Sequence, residues 1–479
     1  MKKTLPLLAA GLSLFLFSNG RFVVPVAAWL APIFLIRFFR RNRPGLALAT
    51  GAALFPAAAG VMLYGIIPPA LGALFYGLTA YYGILWFLPY AADRLIAPRV
   101  RGFAATLVFP AAAVVAEYAN ALALGDWGSA AFSQPGLLPL QQVLSLAGIG
   151  GLTFLISWFG AVVNWIREGA SEWQRLRLGA AAFSAVLAAV LFFGGARLTL
   201  FPPGPPTVRV AGFTELQDGD PDDVFWEKMF ARTRACAAAG ARIVLWPEAA
   251  VDVSPVAKGA LIARARDEAR AARLYLLAAF YVKGPEPPAD RGLNAAVFID
   301  PGGRVLWEYV KAHPVPGSTD RPGDGRIPIV DTPYGRIGAA VCYDLDFPAL
   351  IRQAGRRGVD IMLDPSWDWR AIDPLHTEMA AARAVENGFS LVRQAPEGLS
   401  IAVDYQGRTL AAMDHFRTED KTLIADVPIH GVRTLYGLSG DWLAWLCAAG
   451  LPALALSGRR RPAPAISSGR SSPPKDRSA

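Results

Sequence analysis

The sequence predicts a multi-helix transmembrane bundle of about eight helices carrying a layered α/β/β/α domain. Three observations lead there: the number and length of the apolar runs, the placement of Lys and Arg between them, and one long segment where short apolar runs alternate with helical stretches. Of 479 residues, 53% are hydrophobic and 18% charged, with a mean hydropathy of +0.33. That balance excludes a disordered, fibrous or disulfide-stapled chain.

Apolar segments cover about 4–19, 22–36, 45–66, 69–90, 102–123, 142–165, 178–196 and 439–457. A helix crosses a bilayer in roughly 20 residues, with a range of ~17 to 25, and five of the eight runs fit well. The first two are short. Met1-Lys2-Lys3 and the apolar stretch after it have the outline of a signal peptide, but Ser18-Asn19-Gly20 stands where a small-residue cleavage site belongs. If these two runs form a hairpin that does not span, the parity of the remaining crossings is unchanged.

The net charge of +9 invites a polyanion-binding reading, and its distribution removes it. Residues 198–437 hold 27 Lys and Arg against 31 Asp and Glu, so the excess base lies in the apolar flanks. With the N-terminus inside, Lys2, Lys3, Arg37, Arg40, Arg41, Arg43, Arg94, Arg99, Arg101, Arg167, Arg175, Arg177 and the six bases after Gly458 all fall on one side. Only Arg21 and Arg197 fall on the other, and the 125–142 connection has no base. By the positive-inside rule the large polar segment then lies outside the cytoplasm.

The expected organisation is a seven-helix transmembrane domain at 1–197, an extracytoplasmic α/β domain at 207–436, a C-terminal transmembrane helix at 439–457 and a disordered cytoplasmic tail at 458–479. Within 207–436, helices are expected near 222–239, 256–272, 348–357 and 374–388. Strands are expected at VRVAGF, ARIVLWPE, LYLLAAFYV, AAVFID, RVLWEYVKAH, GRIGAAVCYD, DIMLDPS, FSLVRQA, LSIAVDYQG and TLIADVPI. Strands alternating with helices argue for buried sheets covered by helices.

Three residues sit at the ends of such strands. Cys342 follows an apolar strand and precedes a helix, with Asp346 as the expected cap, where a thiolate is favoured. Taken by itself, a cysteine there is more often a small buried hydrophobe. Glu248 ends the strand in LWPE, where a sheltered carboxylate can serve as a base. Lys311 ends the strand in WEYVKAH, where an ammonium can face an oxyanion. Each charge alone is more often a strand-end surface group.

As an ordered set, Glu248 in WPE, Lys311 in YVKAHPVPG and Cys342 in VCYD resembles the Glu-Lys-Cys triad of the nitrilase, or carbon-nitrogen hydrolase, superfamily. With seven apolar segments before it and one after, the whole chain resembles the membrane-embedded apolipoprotein N-acyltransferase family. The resemblance implies a nitrilase-type αββα sandwich, Glu248 as general base, Cys342 as nucleophile, Lys311 at the oxyanion and Asp344 in support. It implies a phospholipid acyl donor, a lipoprotein acceptor, a thioester intermediate, the cytoplasmic membrane as location, and no cofactor. Asn294, His313, Pro316 and His376 also match family positions, where structural roles are expected.

Two loops depart from the family pattern. Where HLVPFGE is usual, this chain reads HPVPGSTD, placing Thr319 at the position of the Glu, with Asp320 beside it. The usual SNDAWF becomes Ser366-Trp367-Asp368-Trp369-Arg370, so Trp367 and Trp369 are candidate substrate-loop residues alongside Thr319 and Asp320. These departures keep open a membrane-tethered carbon-nitrogen hydrolase (amidase) or transfer to a different amine. The four histidines show no catalytic-metal spacing. Glu117, deep in an apolar segment, either meets a lipid head group or pairs within the bundle, and Gly148-Ile149-Gly150-Gly151 suits close helix packing. A cysteine introduced at Asp267 is expected to react with a membrane-impermeant maleimide applied to intact cells; labelling only after lysis would reverse the topology.

Overall fold

The computed structural model describes residues 2–168, 173–216, 221–284 and 291–457; the tail expected to be disordered lies outside them. The apolar runs form helices: α1 (Leu5–Phe15), α2 (Pro25–Arg41), α3 (Pro44–Met62), α4 (Ala73–Ile96), α5 (Val108–Ala123), a short α6 (Leu138–Gln141), α7 (Leu144–Glu168) and α8 (Trp173–Leu200). Among the described residues four stretches are long and apolar enough to cross a membrane: Pro44–Met62, Gly102–Ala123, Leu144–Glu168 and Trp173–Leu200. Leu5–Phe15 and the C-terminal Trp442–Ser457 are apolar but shorter. The α7 span is 67% buried and the α8 span 11%, so α7 is the centre of the bundle and α8 presents its apolar surface outward.

Buried polar groups tie the bundle together. Glu117 accepts from Ser129 Oγ and Thr153 Oγ1, each at 2.6 Å, and from the Ala130 amide at 2.9 Å. Of the two readings of this acid, the structure carries pairing within the bundle. The α7 helix breaks at Gly148 (φ 62°, ψ −166°), which frees the Ile149 amide to donate to Glu386 Oε1 at 2.8 Å. At the opposite end, Arg40 bridges Asp93 at 2.6 Å and Glu168 at 3.2 Å, joining the C-terminal ends of α2, α4 and α7.

The polar segment adds α9 (Asp222–Ala238), α10 (Lys258–Ala272), α11 (Pro348–Arg357), α12 (Leu375–Asn387) and the small α13 (Leu435–Ser439), before α14 (Trp442–Ser457). Its strands are β1 (Thr207–Phe213), β2 (Ile243–Leu245), β3 (Asp252–Val253), β4 (Tyr275–Val282), β5 (Leu293–Ile299), β6 (Val305–Val310), β7 (Ile329–Thr332), β8 (Gly335–Ala339), β9 (Ile361–Pro365), β10 (Ser390–Gln394), β11 (Leu399–Val403), β12 (Thr409–Asp414) and β13 (Thr422–Pro428). One sheet runs β13-β1-β2-β4-β5-β6, with β3 on β4; the other runs β12-β11-β10-β9-β8-β7.

Val210, Leu245, Leu277 and Phe298 of the first sheet pack against Ile337, Leu363, Val392 and Ala402 of the second. Helices α9 and α10 cover the outer face of the first sheet, and α11 and α12 that of the second. The result is a four-layer αββα sandwich, as the alternating pattern implied. In each sheet the central strands run parallel, β1-β2-β4 and β8-β9-β10, so their carboxyl ends open at a common edge, where α/β sheets carry ligand sites.

That edge faces the helical bundle. Tyr343 OH donates to Leu124 O at 2.6 Å, the Asp126 amide to Asp346 O at 2.8 Å, and Trp127 Nε1 to Asp346 Oδ2 at 2.5 Å. Buried Arg383 reaches Asp126 at 2.6 Å, and Trp369 Nε1 donates to Gly65 O at 2.9 Å. The sandwich therefore meets the ends of α3 and α5 and the start of α7, while the Arg40 cluster lies at the far end of α7. A Cβ on Gly148 would fall 2.4 Å from Tyr436 Cε2, in a conformation that L side chains rarely adopt. Gly148→Ala is expected to destabilise the detergent-solubilised protein by about 1–3 kcal/mol, read as a lower thermal midpoint, while Gly150→Ala leaves the midpoint essentially unchanged.

Candidate active site

Glu248 follows β2, Lys311 follows β6 and Cys342 follows β8, so two face-to-face sheets deliver the three side chains to one place. All are buried, at 5%, 3% and 3% exposure. Lys311 Nζ donates to Glu248 Oε1 at 2.6 Å, and Asn294 Nδ2 donates to the same oxygen at 2.7 Å. Both bonds fall on Oε1. Burial works to lower the Lys311 pKa, but Glu248, with Cys342 and Asp344 adding to it, holds the ammonium above its ordinary value. Burial, reinforced by Glu248, pushes the Cys342 thiol well up against the pull of Lys311 and Arg393. That shift favours the protonated thiol at rest.

Cys342 has a φ of +52°, a conformation that costs a non-glycine residue roughly 1–2 kcal/mol. Neighbouring hydrogen bonds hold it there. Its amide donates to Asp364 Oδ1 at 2.9 Å, and its thiol lies 3.6 Å from Trp367 O. Asp364 is in turn held by Arg393 at 2.6 Å; burial raises its pKa, to about 6, against that guanidinium. The Cys342 amide is occupied by Asp364, and the positive charges acting on the thiol are those of Lys311 and Arg393.

One expectation around Cys342 needs correction. Asp346 does not cap a helix: residues 342–346 form a 3-10 turn, α11 starts at Pro348, and Asp346 is spent on Asp126 and Trp127 of the bundle. Asp344 makes no hydrogen bond to Lys311 Nζ. It accepts instead from Tyr309 OH at 2.7 Å and from the amides of Ala312 at 3.2 Å, His313 at 2.8 Å and Val341 at 3.3 Å. It staples the loop after Lys311 to the turn of Cys342.

Cys342 and His376 line an apolar cleft of about 90 Å³. Its remaining walls come largely from the bundle: Leu63, Ile66, Ile67, Pro68 and Leu71 after α3, Leu78 and Tyr82 on α4, and Leu124 and Trp127 after α5. Val315, Pro316, Tyr343, Trp369 and Ile372 complete it. Trp369 thus lies in the cleft wall, and Trp367 contributes its carbonyl beside the thiol. Thr319 is exposed and does not line the cleft, and Asp320 accepts from Tyr281 OH at 3.1 Å. Asn294 and His376, expected to be structural, touch Glu248 and border Cys342 respectively. The sequence reading did not select Asp364, Asp368 or Arg393: buried ion pairs between β9, its following loop and β10 leave no local spacing signal.

A carbon-nitrogen hydrolase family model matches residues 222–436. Residues 222–436 belong to the nitrilase superfamily. The chain's similarity reaches beyond the superfamily's sandwich. It is 27% identical over 398 residues to the apolipoprotein N-acyltransferase of Geobacter metallireducens, covering 75% of each chain. To that of Bradyrhizobium diazoefficiens it is 28% identical over 441 residues, covering 80% of this chain and 78% of the relative. Both alignments are longer than 222–436, so they extend into the apolar helices. An amidase from Nesterenkonia sp. superposes with a TM-score of 0.41 at 22% identity, covering 48% of this chain and 94% of that one.

Asp344→Asn would turn an NH2 group toward backbone donors in place of an acceptor oxygen. It is expected to lower stability by about 1–3 kcal/mol and to slow alkylation of Cys342 by iodoacetamide several-fold, with Tyr309→Phe giving a smaller effect. Unchanged alkylation in Asp344→Asn would refute its hold on the turn.

Proposed function

We propose that this nitrilase-superfamily enzyme is an N-acyltransferase moving an acyl chain from a phospholipid, through a thioester on Cys342, to the N-terminal amine of a diacylglyceryl-cysteine lipoprotein. The observation that carries the reading is the apolar cleft, with Cys342 in its lining and bundle residues 63–82 and 124–127 as walls. A small polar amide has no use for such walls, whereas an acyl chain entering sideways from the bilayer does. The long alignments with apolipoprotein N-acyltransferases support it.

In this mechanism Glu248 takes the Cys342 proton and the thiolate attacks the ester carbonyl. Lys311 stabilises the tetrahedral oxyanion. Collapse forms the thioester and breaks the ester bond, and the lysophospholipid leaves with the proton that Glu248 held. The acceptor amine then attacks the thioester, Glu248 removes its proton, and the thiolate departs as the amide forms. Apolar walls keep water from the thioester and so favour transfer over hydrolysis.

The proposal includes the topology: seven crossings before the sandwich, one after, residues 207–436 on the extracytoplasmic side of the cytoplasmic membrane, and the tail inside. The contacts of the sandwich support it, since they fall on connections nearly free of Lys and Arg, while Arg40 lies at the other end. A membrane-tethered amidase, or transfer to another amine, is the competing reading, motivated by the departures at Thr319, Asp320 and 366–370.

Incubation with isotopically labelled phospholipid followed by mass spectrometry of the Cys342 peptide is expected to find an acyl adduct that a diacylated lipopeptide discharges with N-acylation. Cys342→Ala should abolish the adduct, and Glu248→Gln should slow its formation by about 10²–10⁴-fold. An adduct that the lipopeptide does not discharge would refute the acceptor, and absence of any adduct would favour the amidase.

A further inference from the structure

At the β7 edge of the second sheet, away from the cleft, four arginines gather. Arg336 at the start of β8, Arg357 at the end of α11 and Arg433 before α13 line an open hollow of about 390 Å³ with Ile329 and Asp331. Arg356 adjoins it, its carbonyl accepting from Arg433 Nη1 at 3.3 Å. Asp331 is spent on Arg336 at 2.8 Å, and Asp360 accepts from the Arg336 and Gly431 amides, each at 2.7 Å. Arg357 and Arg433 donate only to backbone carbonyls, those of Ile327 and Arg356; among the described residues neither they nor Arg356 has an ion-pair partner. All three are exposed. This surplus of base runs against the charge of its own segment, since 198–437 holds 31 acids against 27 bases. No residue lining the hollow lines the cleft over Cys342.

The hollow stands where the chain enters the apolar layer. Arg433 shortly precedes α13, whose Leu435 and Leu438 are each 51% exposed. Trp442 and Trp445 on α14 are exposed as well, in the manner of aromatic residues at a bilayer interface. Arg352 pairs with Asp441, just before α14, at 2.5 Å, and Arg356 lies one turn of α11 further on, about 5.4 Å. The polar layer on each side of the hydrocarbon is about 5–7 Å deep, so Arg356 and Arg433 fall at head-group depth. A guanidinium presents forked donors that match phosphate oxygens. Three without carboxylate partners select a head group of net negative charge over one whose own amine cancels its phosphate.

We propose that the hollow lined by Arg336, Arg357 and Arg433, with Arg356 at its rim, binds the phosphate of an anionic glycerophospholipid in the adjoining leaflet. The acyl chains of that lipid lie along Leu435, Leu438 and Trp445, and its head group ties the C-terminal end of α11 to the membrane surface. The sandwich is then held on the bilayer at two places, by the bundle at the cleft and by lipid here. The site rests on α14 lying in the bilayer and needs no step of acyl transfer.

The test uses full-length protein in detergent, stripped of co-purified lipid, and native mass spectrometry with phosphatidylglycerol or phosphatidylcholine of the same acyl chains. Phosphatidylglycerol is expected to bind at least ~10-fold more tightly, each arginine contributing about fivefold. The combined variant Arg356→Gln, Arg357→Gln and Arg433→Gln, checked for folding by circular dichroism, should lose that preference, and Arg433→Gln alone should weaken it about fivefold. A control that removes the same charge elsewhere on the sandwich, Arg242→Gln with Lys283→Gln and Arg417→Gln, should keep it, and so should Cys342→Ala. Equal binding of the two lipids by the wild-type protein, an undiminished preference in folded Arg433→Gln, or loss of preference in the control would overturn the site. Loss in Cys342→Ala would place the lipid in the cleft and overturn it as well.

Discussion

Lys311 and Glu248 meet at 2.6 Å in a pocket that excludes water, and neither charge could stay there without the other. Taking an ammonium or a carboxylate out of water costs several kcal/mol, which only a close partner with further hydrogen bonds offsets. Asn294 provides one such bond on Glu248. The pair fixes β2 and β6 relative to each other and places a carboxylate and a cation beside one thiol. It also explains the thiol's resting state, because the same burial and the same carboxylate oppose a thiolate. In the proposed reaction the thiolate forms on demand, when Glu248 receives the thiol proton.

A second set of polar contacts makes the bundle part of the site. The residues that follow Cys342 are hydrogen-bonded to the connection after α5: Tyr343 to Leu124, and Asp346 to Asp126 and Trp127. The turn that carries Cys342 at positive φ is thus braced from one side by Asp364 and Arg393 and from the other by the helical region. The bundle also walls the cleft over Cys342. A sandwich without its helices would lose both the brace and the apolar cover, which gives a physical reason for one chain to hold both parts.

Much of this was legible beforehand. Elements with strong periodicity were read within a few residues: the stretches expected at 222–239, 256–272, 348–357 and 374–388 are α9, α10, α11 and α12. Short or edge strands such as β3, β7 and β12 were missed, since two to six residues on a sheet edge carry little alternation. Glu248, Lys311 and Cys342 stood out because each ends an apolar strand. Asp346 misled, because an acid before a helix looks like a cap whether or not a distant tryptophan claims it.

What the amino-acid sequence determined by itself was local and periodic: apolar runs of helical length, the asymmetry of Lys and Arg between them, and the strand ends bearing the three chemical residues. These are properties of a few consecutive residues and the solvent they face. Only the tertiary structure decided that Asp344 grips backbone amides and not the lysine, that Glu117 is satisfied by Ser129 and Thr153, and that Asp368 and His376 share a pocket with Cys342. Those outcomes depend on hydrogen bonds and ion pairs between residues far apart in the chain. Once water is excluded, each buried polar atom must find a partner, and which partner it finds depends on how the layers pack.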